Sequence, residues 1–509
     1  MKITLLLLIT TLIRTTLIAQ AGSLDTTFDR DGKQITDFRN TADAYAVALQ
    51  KSGKIVVAGR VTKNGLNYDF VLTRYRLNGT LDQSFGVNGI VKTNFGYTFE
   101  FAYGVAIQPD DKIIAVGSGD GSVALTRYQT DGIPDSSFGV NGKTITPFDS
   151  TFSMATSVVL QPDGKIVVAA AAGAPYDFVV IRYNSNGSLD SSFGINGKTI
   201  TKLTEDQDLP CSVLLQKDGK IILAGNAASD FALVRYQQNG KLDKSFGING
   251  IAINGRGHNG SAGAAALQAD GKILLLGTKA NDSTQYGIIV RYKPDGSIDT
   301  SFNHTGRRVI RPRYWQGYNA LAIQPDDKIL LAGTVDNGAT YQDFIINRLN
   351  PDGTFDKTFG TGGMVTTDFK TRHTNEAINA IVIQPDGKIV AVGVFAKGGG
   401  VYTCFAIARY NGSNGLAAGR NIFSDSKTQD ITHSTVRIFP NPVKDVLQVT
   451  GLSASLKTIS VFDLKGNLLQ QVTTTGTSYP FNTKQLSAGM YLIKIEQNNG
   501  FKTLNFMKE

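Results

Sequence analysis

Short apolar runs recur along almost the whole chain, each bounded by polar turn residues. "KTITPF" (143–148), "SVVLQ" (157–161), "KIVVAA" (165–170) and "FVVIRY" (178–183) show the type. They are rich in Val, Ile, Thr and aromatic residues and predict four successive strands, a to d. Strands b and c are joined by Pro-Asp-Gly, a tight-turn signal that predicts an antiparallel hairpin. No stretch sustains a helical apolar period, so the fold class is all-β.

The four-strand pattern repeats. A Leu-Asp-x-Ser/Thr-Phe phrase, in loose form, has its aspartate at Asp25, Asp82, Asp135, Asp190, Asp243, Asp299 and Asp356. A Gln-Pro-Asp-Gly-Lys-Ile hairpin has its lysine at Lys54, Lys112, Lys165, Lys220, Lys272, Lys328 and Lys388. Strand d ends on Arg-Tyr or Arg-Leu, with arginines at Arg74, Arg127, Arg182, Arg235, Arg291, Arg348 and Arg409. Seven units of four antiparallel strands predict a seven-bladed β-propeller. A β-solenoid is the alternative, but its coils are usually shorter and lack a reversing hairpin at the centre of each unit.

From Arg74 to Arg348, each arginine stands eight residues before the next motif aspartate. A charge pair of constant geometry is expected, with the aspartate also bonding its turn backbone. Arg409 has Ala417 eight residues on, and Asp25 has Leu17 rather than an arginine eight residues upstream. Asp25 is therefore expected to pair with Arg409 and close the ring. Each anchor carries a single carboxylate, and "DRDGK" (29–33) is the one dense acidic cluster, so the aspartates read as turn residues rather than a calcium cage. No metal or cofactor is expected.

These motifs, [LI]-D-x-[ST]-F-G-x-x-G, then Q-P-D-G-K-I, then R-Y, resemble the delta-sixty (delta-60) repeat family of β-propellers over about residues 22–412. The resemblance implies a propeller fold and export.

Residues 1–21 combine Lys2, an apolar run and small residues at Ala19 and Ala21, the pattern of a secretory leader cut after Ala21. Arg14 interrupts the run, and no later window is long and apolar enough to span a membrane. Cys211 and Cys404 lie in strand-like runs of different units and read as two buried small hydrophobes, not a disulfide. The net charge of +9 is spread without a polybasic block, which favours solubility over nucleic acid as a partner.

With alternating strand directions, the b–c turns and d-to-a connections share one face, and the a–b and c–d loops share the other. The first carries the invariant motifs; the second varies, and function in repeat scaffolds tends to sit where repeats diverge. "RRVIRPRYWQGY" presents Arg311, Arg313, Tyr314, the sole Trp315 and Tyr318, suited to stacking on sugars and pairing with anionic groups. "NFGYTFEFAY" (94–103) adds Tyr97 and Phe99. No catalytic residue is assigned: the four histidines lie on separate segments, and no nucleophile, zinc or phosphate-loop motif occurs.

After Tyr410 a polar stretch reads as a flexible linker, 413–435, and residues 436–509 read as an Ig-like sandwich of about seven short strands. Pro440-Asn441-Pro442, the turn at Gly466, and "LSAGMY" with Gly489 and Tyr491 resemble the type A C-terminal sorting domain of the type IX secretion system. The resemblance implies export across a Gram-negative outer membrane by that machinery, removal of the domain within about 412–435, and release or attachment to surface lipopolysaccharide. Together these features predict a secreted or surface-attached, monomeric binding or adhesion propeller with a glycan or protein ligand. Two other readings stand beside it: a polysaccharide-active hydrolase or lyase, and a structural surface protein without small ligand.

Overall fold

Each b–c junction folds as its turn residues dictate. In the third unit the Asp163 carboxylate accepts from the Lys165 N–H at 3.2 Å, and Gly164 turns the chain with φ +84°. The hairpins so formed belong to seven four-stranded antiparallel sheets. The structure, a computed structural model, describes residues 20–62, 67–119, 121–148, 152–254, 260–280, 285–311, 316–336, 341–369, 374–397, 402–413, 437–439, 443–450, 452, 457–462, 468–487, 489–497 and 500–508. It divides into a unit ending at Asn414 and a second beginning at Gly415. Among the described residues there is no α-helix, only a one-turn 3-10 segment at Phe302–His304.

The blades are offset by one strand from the sequence units. Strand a of the third unit, Lys143–Thr146, pairs with Ser122–Tyr128 of the second rather than joining Ser153–Leu160. After strand d the chain turns back at once, with bridges such as Tyr75 to Leu81 and Tyr183 to Leu189, so strand a returns along its own strand d. The a–b loop then crosses to the next blade. Blade 1 begins with its inner strand Ala42–Leu49 and ends with its outer strand Ile90–Thr93. Blade 7 runs Glu376–Ile383, Ile389–Lys397 and Tyr402–Tyr410, and its fourth strand is Lys33–Thr36 from the other end of the chain. Middle strands such as Ile113–Gly119 and Ile166–Ala172 are buried along their whole length, because blades cover both their faces.

The three sequence anchors meet in space seven times. Each motif aspartate accepts from the arginine Nε at 2.7–2.9 Å and lies 2.8–3.7 Å from the hairpin lysine. Its other oxygen closes the turn: Asp243 Oδ1 accepts from Ser245 N at 3.2 Å and Ser245 Oγ at 2.8 Å. The guanidinium stacks on the motif phenylalanine, Arg235 over Phe246 at 4.6 Å, and reaches a carbonyl of the next blade, Pro294 at 2.6 Å. Burial pushes the Asp243 carboxyl up, but bonds from Ser245 and Lys220 and the charge of Arg235 hold it down at about 2. The tyrosine after the arginine ties blades together as well: the Tyr75 and Thr36 hydroxyls lie 2.6 Å apart across the blade 1–blade 7 boundary.

At the closure Arg409 Nε donates to Asp25 Oδ2 at 2.7 Å, and both residues are buried. Lys388 reaches the same oxygen at 3.1 Å, and Arg409 donates onward to the Leu77 carbonyl in blade 1 at 2.5 Å.

The second unit has seven described strands in two sheets. One contains Arg437–Phe439, Val446–Thr450 and Ser478–Asn482; the other contains Leu468–Thr474, Lys457–Phe462, Gly489–Gln497 and Gly500–Lys508. Val449, Ile459, Val461, Phe481, Ile493 and Phe506 fill the space between them. Tyr491 packs on Phe506 and donates its hydroxyl to the Ser487 carbonyl at 2.8 Å. Gly489 opens its strand at φ +154°. Pro440, Asn441, Pro442 and Gly466 lie outside the described residues, as does the linker beyond Ser413.

Asp25→Ala strands a buried guanidinium and is expected to cost about 3–5 kcal/mol in urea unfolding. Replacing both partners, Asp25→Leu with Arg409→Met, should cost less than the single change. A loss below about 1 kcal/mol for Asp25→Ala would show that the clasp does not hold the ring.

Candidate functional site: the channel ring and its aromatic corner

Every inner strand breaks register once, at the same place. The bulges fall between Ala44 and Ala46, Ala102 and Gly104, Ala155 and Ser157, Pro210 and Ser212, Ala262 and Ala264, Tyr318 and Ala320, and Ile378 and Ala380. A bulge re-aims a side chain out of the ladder. The seven bulged residues, Tyr45, Tyr103, Thr156, Cys211, Gly263, Asn319 and Asn379, line one cavity of about 290 Å³ where the blades converge. Each stands nine residues before its anchor lysine, from Tyr45 and Lys54 to Asn379 and Lys388. Aligning the units on that lysine would have exposed the ring in the sequence. Cys211 is thus a wall residue of the cavity, while Cys404 is buried as expected of a small hydrophobe.

The ring is built asymmetrically. On one side the amides stitch blades together: Asn319 Nδ2 donates to the Ile378 carbonyl at 3.1 Å, and Asn379 Nδ2 to the Ala44 carbonyl at 2.9 Å. On the other side Tyr45 and Tyr103 face each other at 5.1 Å and lead into an aromatic corner. Phe101 lies 5.8 Å from Tyr103 and 5.4 Å from Tyr68, and Phe99 stacks on Tyr68 at 6.2 Å. The Arg60 guanidinium sits at the centre, 4.6 Å from Tyr68, 4.9 Å from Phe101 and 5.8 Å from Tyr45. Its charge is matched by Asp43, at 2.6 and 2.7 Å, and Asp43 also accepts from Thr403 at 2.6 Å. Burial raises the Tyr45 and Tyr103 hydroxyls above the ordinary phenol range, so both stay neutral. Among the described residues, the cavity wall holds no carboxylate and no histidine.

The loop ahead of Phe99 is pinned from below. The buried Glu100 carboxylate accepts from Phe95 N and Tyr97 N, each at 2.8 Å, and Asn94 Nδ2 donates to Asp69 at 2.7 Å. Tyr97 and Phe99 are therefore held at the surface, 39% and 48% exposed. The second aromatic loop differs from expectation. Tyr318 is 1% exposed at a blade boundary, and its hydroxyl lies within hydrogen-bond reach of the Asn347 side-chain oxygen and, at 3.0 Å, of the Gln316 side-chain oxygen. It is a core residue closed to any ligand, because the Gln316–Ile323 strand begins before it and carries it inward. Arg311 is exposed and lies 5.7 Å from the Tyr286 ring. Arg313, Tyr314 and Trp315 lie outside the described residues.

Comparison with known proteins places this architecture. The domain of unknown function (DUF5122) β-propeller matches seven times, at residues 50–85, 108–138, 161–193, 216–246, 268–302, 324–359 and 384–415. The secretion system C-terminal sorting domain matches residues 437–509. The chain is a DUF5122 β-propeller with a type IX sorting domain.

No curated protein matches the sequence. Solved structures similar to it include a streptogramin B lyase (11% identity, 74% of this chain and 97% of that one, TM-score 0.43). A polysaccharide lyase, Uly1, is similar at 13% identity over 72% of this chain and 89% of its own, with a TM-score of 0.41. PorZ, a surface component of the type IX secretion system of Porphyromonas gingivalis, is similar at 10% identity over 92% of this chain and 81% of its own, with a TM-score of 0.26.

The sorting domain directs the DUF5122 propeller to the type IX machinery and thus to secretion or the outer-membrane surface. Among the described residues no helix is long and apolar enough to cross a membrane.

A second feature of the propeller's variable face lies at the blade 6–blade 7 boundary, where Asp343, Asp368 and Glu376 bring carboxylate oxygens within 4.8 Å of one another. The same position at the blade 1–blade 2 boundary holds Asp69, Asn94 and Glu100, with an amide in place of the third acid. Burial, aided by the neighbouring charges of Asp368 and Asp343 and opposed by the Phe369 N–H, pushes Glu376 up to about 8. The folded state thus binds this proton more tightly than the unfolded chain, so the associated stability is present at low pH and lost as pH rises through about 8. Wild type should lose melting temperature between about pH 5 and pH 8, and little beyond, relative to Glu376→Gln, measured by differential scanning fluorimetry. Parallel curves would remove this carboxyl as a titrating group.

Proposed function

We propose that the exported propeller is a glycan-binding module, with the ligand lying across the corner formed by Tyr45, Tyr68, Phe99, Phe101 and Tyr103. The carrying observation is a run of five aromatic rings in mutual contact, three of them (Tyr45, Tyr68 and Phe101) packed on a guanidinium already matched by Asp43, beside a cavity wall without acids or histidines among the described residues. Aromatic faces stack on the C–H faces of sugar rings, and paired hydroxyls at the rim orient them. With Arg60 spent on Asp43, the corner offers stacking rather than net charge, which favours neutral sugars over sulfated or uronic ones. Binding at the cell surface makes the protein an adhesion or capture module acting as a monomer, with lipopolysaccharide as the anchor where the protein is retained.

A glycan array probed with the propeller, wild type and Tyr103→Ala, tests this. Binding to neutral oligosaccharides is expected, and loss of one stacked ring should weaken it by about 1–2 kcal/mol, roughly five- to thirtyfold. No binding to any glycan would sink the reading. Cleavage of a bound glycan would move the protein to the polysaccharide-active enzymes.

A further inference from the structure

The ring closure draws on Gln20 and Ala21, at the expected leader cut. In six blades, two neighbouring carbonyls of one turn receive the preceding blade. For blade 1, Arg74 donates to the Thr130 carbonyl and Gly86 N to the Asp131 carbonyl at 2.8 Å. For blade 4, Arg235 donates to Pro294 and Gly247 N to Asp295, at 2.6 and 2.8 Å. At blade 6 the turn is assembled from both ends of the propeller chain: Arg348 donates to the Gly412 carbonyl, and Gly360 N donates to the Ala21 carbonyl at 2.9 Å. Ala21-Gly22 therefore stands where the other blades have Asn-Gly or Asp-Gly, and Gly22 has φ +89° against +87° for Gly79.

Ala21 is fully buried, among core residues that include Phe359 and Tyr410. Gln20 also takes part: its Nε2 donates to the Gly360 carbonyl at 3.0 Å, and its carbonyl accepts from Ser23 N at 3.0 Å and Ser23 Oγ at 2.7 Å. The leader pattern alone favours a cut after Ala21. That cut would leave the Gly360 N–H without its partner, empty the Ala21 site and put a new ammonium on Gly22, a buried residue whose nitrogen has the single acceptor Asn411 at 2.7 Å. An unmatched buried charge and an orphaned buried donor are both unfavourable.

We propose that signal peptidase hydrolyses the Ala19–Gln20 amide, with Ala19 as the small residue at the cut, so that Gln20 and Ala21 remain as the first residues of the ring. The full chain, exported through the general secretion pathway of a Gram-negative host, should give an N-terminal peptide beginning at Gln20 by mass spectrometry, with or without loss of ammonia from that glutamine. A peptide beginning at Gly22 would overturn the proposal. Full-length mature chains released from a cleavable fusion, starting at Gln20 or at Gly22, supply a second readout. The shorter chain should melt at least about 4 °C lower; equal melting temperatures would remove the physical ground for the cut.

Discussion

A buried aspartate shared by an arginine and a lysine recurs seven times in this ring, and the rest of the fold is organised around it. Burying an ion pair is no guarantee of net stability, because desolvation offsets much of the attraction. Here, though, the guanidinium has the carboxylate, a serine or threonine hydroxyl, a carbonyl of the next blade and a ring face around it. For Arg291 these are Asp299, Ser301, Pro351 and Phe302. A slipped register would break all of these together. The knot therefore acts chiefly on specificity: it sets where strand d ends, how the chain returns as strand a, and how one blade meets the next.

Because the knot joins residues eight apart, its core was legible without a structure, and so was the break in the series at Arg409. The lysine was legible as a repeat but not as a member of the knot, since it arrives from a separate hairpin. The one-strand offset between units and blades was hidden for a related reason: periodicity fixes how many strands recur, while pairing depends on whether the chain turns back at the Leu-Asp loop or crosses over. The bulge ring escaped notice because its seven positions share no residue type. What they share is a backbone irregularity, and single-residue bulges leave no apolar signature. Tyr318 was misplaced by the opposite error, in which an aromatic in a promising loop phrase proved to be the third residue of an inner strand.

Identical backbone and divergent side chains are two sides of one design. The knots hold the seven inner strands in equivalent positions, so a bulge at a constant distance from the anchor lysine delivers seven side chains to one ring whatever their chemistry. Tyrosines then suit stacking, Gly263 leaves space, and Asn319 and Asn379 bind backbone instead of solvent. Change at these positions leaves the anchors untouched, which lets the wall vary while the frame does not.

The composite turn adds a geometric consequence. Gln20 and Ser413 both lie beside the turn completed by Ala21 and Gly412, on the face that carries the hairpins and knots. The two described ends of the propeller chain are therefore brought together at one turn of the ring. The clasp that closes the ring is made from the residues next to those two ends. Both described ends of the propeller chain are thus tied into the knot face, next to the Asp25–Arg409 pair.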